Sequence, residues 1–377
     1  FPDTWPTIFV QHRMSAQLAI SSLTASARTR LAAGDARAMD LSLSRVDAHA
    51  AQIMQLTGRT AHRPASVRGV AHEQLRRLAQ LWLVLAALYR NLVSGKKLAQ
   101  RELWYRLKPL GIFTSPQQVY DRVSESGAII AEWTGKACPR EALGVIAAPR
   151  GSMTGTVSLA TPDGPRQLDD AVYAIPGDPE ECSRLRFASS RARYVVVVEK
   201  DTVFTRLLDD RFTRLLPCLL ITACGYPSLA VRALVQHVVK ALALPCVVLT
   251  DYNPHGMALM LCYKHGSATF AMDGYCCPEL KWVGLHTADV QLLETPTAET
   301  PGRSVLAATS FQPYSDRDGA IVDGLLRNPV VANNEQLRYE AEAMRADRRK
   351  LELEALHALG PEFFAYFLRD KIISSCA

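Results

Sequence analysis

Three short apolar runs constrain this chain more than any other feature. Tyr194–Val198, Cys218–Thr222 and Pro245–Thr250 are continuous, mostly β-branched or aliphatic, and too short to be helices. A helical pattern, Ser228–Leu242, separates the second run from the third and follows the turn Gly225-Tyr226-Pro227. Strands without polar alternation are buried on both faces, and strands alternating with helices indicate a parallel α/β sheet. The first run ends on Glu199 and the third on Asp251. Open α/β sheets bind ligands in the crevice outside the carboxyl ends of their strands. Both acids therefore fall where a site is expected.

The N-terminal part has a different character. Residues 1–110 hold 16 Lys and Arg against 6 Asp and Glu, so under a net charge of +6 the remainder is mildly acidic. That asymmetry suits a polyanion-binding module beside a module whose carboxylates hold metal, and equally an arginine-rich solvated surface. Residues 1–65 are rich in Ala, Ser and Arg, with helical spacing around Leu31–Ile53. Val70–Ser94 reads as a long helix, interrupted by Gly95, Lys96 and Lys97 before a second, Leu98–Leu107. Pro109 and Gly111 stop that helix, and Ser115-Pro116 caps a third, Gln117–Gly127. Two β-rich stretches, Gly144–Ala148 and Gly155–Leu159, follow as an expected hairpin joined through Pro149-Arg150-Gly151. Three helices and a hairpin are the order of a winged helix, a helix-turn-helix variant that reads DNA with its third helix. Thr161–Leu185 reads as a boundary loop. Residues 334–357 read as a charged helix capped by Asn333 or Asn334.

Some classes are excluded. The longest apolar run, Leu78–Tyr89, is too short to span a bilayer, so no membrane role is expected, and no secretory signal precedes it. The chain opens on Phe1 rather than Met, which reads as a fragment or a trimmed chain, with any earlier targeting segment out of view. Nine cysteines form no C-x-x-C pair, and several sit inside apolar runs, so a reducing compartment is expected.

Two sets of residues bear chemistry. Mg²⁺ prefers oxygen ligands and keeps several waters, so Glu199 and Asp251, with Asn253 two places beyond, would suffice beside a substrate phosphate. The structural alternative is that Glu199 pairs with Lys200 or a nearby arginine and that Asp251 caps a turn before Pro254. Tyr105 lies late in the second helix, with Arg101 four residues earlier on the same face. A phenol titrates near 10 and attacks poorly at neutral pH unless a cation favours its phenolate. The alternative there is a half-buried helical tyrosine.

Arg101-Glu102-Leu103-Trp104-Tyr105 resembles the nucleophile motif of the topoisomerase VI A-subunit family, which includes the meiotic double-strand-break transesterases. Further blocks follow in the family's order. Val198–Phe204 is similar to its Toprim signature, and Asp251–Gly256 to its acidic metal loop. Gly225-Tyr226-Pro227 with Arg232, Arg150–Gly155, and Lys350–Leu356 resemble three more family blocks, the last a C-terminal helix. Three positions depart from the pattern. Asn253 stands where the family usually has a second aspartate, Cys224 where it often has lysine, and Trp104 where it has the first tyrosine of a pair.

The resemblance implies a multi-domain α/β protein. Residues 1–69 would be an N-terminal helical segment, 70–160 a winged-helix domain bearing the tyrosine, and 186–377 a Toprim Rossmann-like domain with a helical extension. It implies a nuclear, Mg²⁺-dependent homodimer on double-stranded DNA, with a topoisomerase VI B-like partner. Tyr105 would attack a phosphodiester held at the Glu199 and Asp251 site of the other protomer, leaving a 5′-phosphotyrosyl link and a double-strand break. Arg101 would orient the phosphate, and Arg150, Gly151, Arg232, Lys96 and Lys97 would contact DNA. Two other readings stay open: the A-type component of an ATP-dependent topoisomerase VI, and a DNA-binding paralogue that has lost cleavage, suggested by Asn253.

Overall fold

The computed structural model describes residues 16–22, 25, 71–136, 138–169, 171–266, 275–295, 305–360 and 362–376. The helical spacing read around Leu31–Ile53 lies outside them. The chain divides into two compact units, one ending at Ala148 and the next beginning at Pro149.

The first unit is helical. Its helices are Ala71–Val93, Gln100–Leu107 and Pro116–Thr134. Leu81, Val84, Leu85 and Leu88 recur at helical spacing and are buried against Leu103, Leu107, Val119 and Val123. The second helix starts later than the sequence suggests, because Leu98 and Ala99 form a short strand, β1, which pairs in parallel with β2, Val145–Ile146. The third helix runs past Gly127 and thereby buries Ile129 and Ile130.

The second unit is built on a six-stranded mixed sheet. The strands of the whole unit are β3 (Ser152–Gly155), β4 (Val157–Thr161), β5 (Gly164–Gln167), β6 (Tyr173–Ala174), β7 (Phe187–Ser190), β8 (Tyr194–Val198), β9 (Cys218–Thr222), β10 (Cys246–Leu249), β11 (Lys281–Trp282), β12 (Gln312–Pro313) and β13 (Arg349–Lys350). The main sheet has the order β11-β10-β8-β9-β3-β6, with β11, β10, β8 and β9 mutually parallel and β3 antiparallel to β9. All four valines of β8 are at most 1% exposed, so both faces of the central strand are covered. Burial of each contributes about 1.5–3 kcal/mol. That is the scale needed to hold charged groups at the strand ends, which lose several kcal/mol each on leaving water.

The expected hairpin does not form. The strand at Val145–Ile146 takes β1 as its partner, whereas β4 pairs with β5 and β7 in a three-stranded antiparallel sheet. Between them β3 joins the main sheet, pressed so close to β9 that a Cβ at Gly151 would stand 2.4 Å from the Thr222 carbonyl oxygen. Thr161–Leu185 is also not a plain loop. It holds β5, β6 and a helix, Pro179–Arg184, whose first turn is capped by the Asp178 carboxylate. Its prolines and glycines punctuate short elements instead of dissolving them. The charged C-terminal helix covers only Glu335–Asp347, with Asn334 as its cap. It ends where Arg348 turns left-handed, at φ 54°, and the chain leaves to make β13 with β12.

Candidate active site

Parallel pairing of β8 with β10 sets Glu199 and Asp251 side by side at the carboxyl edge of the sheet. The backbone N–H of Asp251 donates to Glu199 Oε2 at 3.2 Å. Asp251 is 1% exposed, and its Oδ1 accepts from the backbone N–H of Leu353 at 2.9 Å. Its Oδ2 lies 2.8 Å from Lys200 Nζ. Lys200 thus pairs with Asp251 across the edge, not with its neighbour Glu199. Burial, together with the nearby Asp251 carboxylate, pushes Glu199 up to about 7, against the pull of the Asp251 N–H and of Lys200. Burial likewise raises Asp251 against Lys200. Two acids that resist ionising together are deficient in positive charge, which is the condition a divalent cation relieves. Glu199 and Asp251 therefore fit a Mg²⁺ ion, although among the described residues no group of three or more His, Cys, Asp or Glu side chains is arranged to hold one.

Asn253 has another task. Its Oδ1 accepts the Gly256 N–H at 2.8 Å and caps the helix Pro254–His265. A metal ion would share that oxygen with the cap through its second lone pair. The motif glycine has a steric cause: a Cβ on Gly256 would meet the Asp251 carbonyl oxygen at 2.7 Å and Thr250 at 2.9 Å.

Several residues at this edge were given no role by the sequence. The segment after β13 crosses the strand ends: Tyr252 and Leu351 exchange backbone hydrogen bonds of 2.9 and 3.1 Å. This brings Glu352 and Glu354 each to 3.3 Å from Lys200 Nζ. The Thr202 hydroxyl donates to Glu354 at 2.5 Å. Tyr226 and His255 meet across the same edge, the phenol oxygen 3.4 Å from Nδ1. The resemblance covered Glu352 and Glu354, but as part of a C-terminal helix and without a role at this edge.

In the helical unit, Leu103, Trp104 and Leu107 face the core while Tyr105 is 54% exposed. The half-buried alternative for this tyrosine is thereby removed. Arg101 approaches the ring, with Cζ 5.9 Å from its centroid. A hydrogen bond from Arg101 and its charge hold the phenol below its ordinary value. Of the residues expected to contact DNA, Lys96 is exposed and Lys97 half-buried. Arg150 donates to the Cys224 carbonyl at 2.9 Å beside Gly151. Arg232 is 3% exposed and reaches the Cys276 sulfur at 3.6 Å, so it does not share the surface with Arg150. No helix among the described residues is long and apolar enough to cross a membrane. Among the described residues, which include all nine cysteines, none forms a disulfide.

Comparison with known sequences agrees with this geometry. The family profile for the Toprim domain of the topoisomerase 6 A-type and Spo11 proteins matches residues 194–372. Meiotic recombination protein SPO11-2 of Oryza sativa subsp. indica is 32% identical over 303 residues, covering 78% of this chain and 73% of the relative. Meiotic recombination protein SPO11 of Mus musculus is 25% identical over 310 residues, 81% of this chain and 74% of the relative. The A3 subunit of DNA topoisomerase 6 from Oryza sativa subsp. indica is 29% identical over 285 residues, 74% of this chain and 60% of the relative. With its parallel sheet, its paired strand-end acids and these relatives, the chain belongs to the family of Spo11 and the topoisomerase 6 A-type proteins.

Proposed function

We propose that this chain is a DNA transesterase that makes double-strand breaks through a 5′-phosphotyrosyl link and so initiates meiotic recombination. The observation that carries the reading is Tyr105, a solvent-facing phenol on a helix whose neighbouring apolar side chains are buried, with Arg101 lowering its pKa. Its oxygen forms a bond to phosphorus as the bond to the 3′ oxygen of the neighbouring nucleotide breaks. The phenol proton is released, and the leaving oxygen takes up a proton. Arg101 favours the phenolate and orients the phosphate. Glu199 and Asp251 would hold Mg²⁺, with Asn253 as a neutral third ligand, and the ion would supply positive charge beside the phosphate.

The order helix, strand, helix, helix, strand, with β1 and β2 paired, supports reading the first unit as a winged-helix DNA module carrying Lys96 and Lys97. Arg150 and Gly151 would meet DNA from the second unit, and Arg232 would join them only if its buried guanidinium became exposed. Two copies are needed to cut two strands, so the working unit is a homodimer, in the nucleus, with a topoisomerase VI B-like partner. The similarity to a topoisomerase 6 component favours a second reading, the A-type half of an ATP-dependent topoisomerase. Relaxation of supercoiled DNA with a B-type partner would select it over the meiotic role.

The deciding experiment is Tyr105→Phe in the full chain. Covalent attachment to DNA 5′ ends should disappear while DNA binding persists, because the ring and Arg101 remain. Adducts formed by that variant would assign the nucleophile elsewhere.

A further inference from the structure

Lys200 is placed as a bound cation would be. Its Nζ lies 2.8 Å from Asp251 Oδ2, 3.3 Å from Glu352 Oε1 and 3.3 Å from Glu354 Oε2. An ammonium carries three donors, and here three carboxylates surround it. The acids come from two distant segments. Asp251 follows β10, whereas Glu352 and Glu354 arrive on the segment pinned to it through Leu353 and Leu351. Thr202, two residues after Lys200, fixes the second oxygen of Glu354. The arrangement is therefore built from several sides and is not a chance surface pair.

The neighbours explain why the chain needs that cation. Asp251 Oδ2 is buried and has no hydrogen-bond partner beyond this ion pair. Without Lys200, and before any metal binds, it would be a buried charge with nothing opposite, a costly state. Asn253, the other polar group of the loop, adds no charge, and its oxygen is engaged by Gly256. A second divalent ion would thus find one fewer anion to hold it and an ammonium already among the remaining carboxylates. Mg²⁺ gives up its waters reluctantly, whereas a tethered ammonium is present at every metal concentration.

We propose that Lys200 is a built-in cation occupying the place a second divalent ion would take among Asp251, Glu352 and Glu354, so that the chain works with one Mg²⁺ ion. The inference rests on the metal-binding reading above. It is tested by calorimetric titration of the full chain with Mn²⁺ and by thermal melting in EDTA and in Mg²⁺. The wild type should take up one ion. Lys200→Met, which keeps the length and removes the charge, should take up two, the second at least about tenfold more tightly than any weak second event in the wild type. Its melting temperature should fall in EDTA and recover with Mg²⁺ more than that of the wild type. Lys200→Arg keeps the charge and should behave as the wild type. If Lys200→Met folds only with metal, ions counted after refolding in Mn²⁺ should number two. A wild type with two equal ions, or a methionine variant with one ion and unchanged melting, overturns the role given to Lys200 and leaves the metal site standing. No ion in any variant overturns both.

Discussion

The two ends of the proposed chemistry are built in opposite ways. Tyr105 stands in solvent on a short helix and depends on one neighbour, Arg101, for its lowered pKa. At the edge of a sheet, Asp251 is buried and Glu199 half-buried, and the pair depends on β8, β10, Lys200 and a backbone N–H 102 residues from Asp251. The nucleophile is thus locally determined. The acids are held by much of the second unit. Changes near Tyr105 should alter chemistry with little effect on stability, whereas changes near Asp251 should alter both.

The strongest way to break this contrast is at Gly256. Gly256→Ala drives a Cβ into the Asp251 carbonyl oxygen and Thr250. Overpacking of this kind costs about 1–3 kcal/mol. The melting transition of the second unit should drop, and adduct formation should fall below detection because Asp251 shifts with its backbone. Unchanged melting would show that the helix Pro254–His265 can slide away without disturbing the acids.

Arg101→Ala sharpens the contrast from the other side. Without the guanidinium the phenol returns toward its ordinary, higher value, so the phenolate is populated only at more alkaline pH. Adduct formation should fall roughly 10²-fold at neutral pH, the scale for one lost electrostatic donor. The deficit should narrow as pH rises, with urea melting unchanged. A deficit of equal size at every pH would assign Arg101 to phosphate positioning alone. Smallest of all is Glu102→Ala, which removes the exposed pair Glu102–Arg106 on the same helix. It should change stability by less than about 1 kcal/mol and leave adduct yield as it was. A marked loss of adducts would mean that this helix takes part in DNA binding through its charge pattern.

How legible each region was follows from the range of its interactions. The strands Tyr194–Val198, Cys218–Thr222 and Cys246–Leu249 could be read because burial on both faces leaves a continuous apolar run. The strand-end acids followed from that reading. Tyr105 could be placed on a helix, and its exposure follows from the burial of Leu103, Trp104 and Leu107. Pairing partners could not be read. The strand at Val145–Ile146 is two residues long, and nothing local tells it to choose Leu98–Ala99 over the strand that follows. The turn at Arg348 was equally hidden, because a left-handed arginine looks like any helical residue in sequence. Missing it hid Glu352 and Glu354, since a continuous helix through them predicts a solvated face.

That turn governs when the acids mature. Ribosomal synthesis delivers Glu199 and Asp251 well before Leu353, whose N–H completes the hydrogen bonding of Asp251, and before the glutamates that share Lys200. A nascent polypeptide therefore carries its strand-end carboxylates without their clasp until Leu353 has emerged.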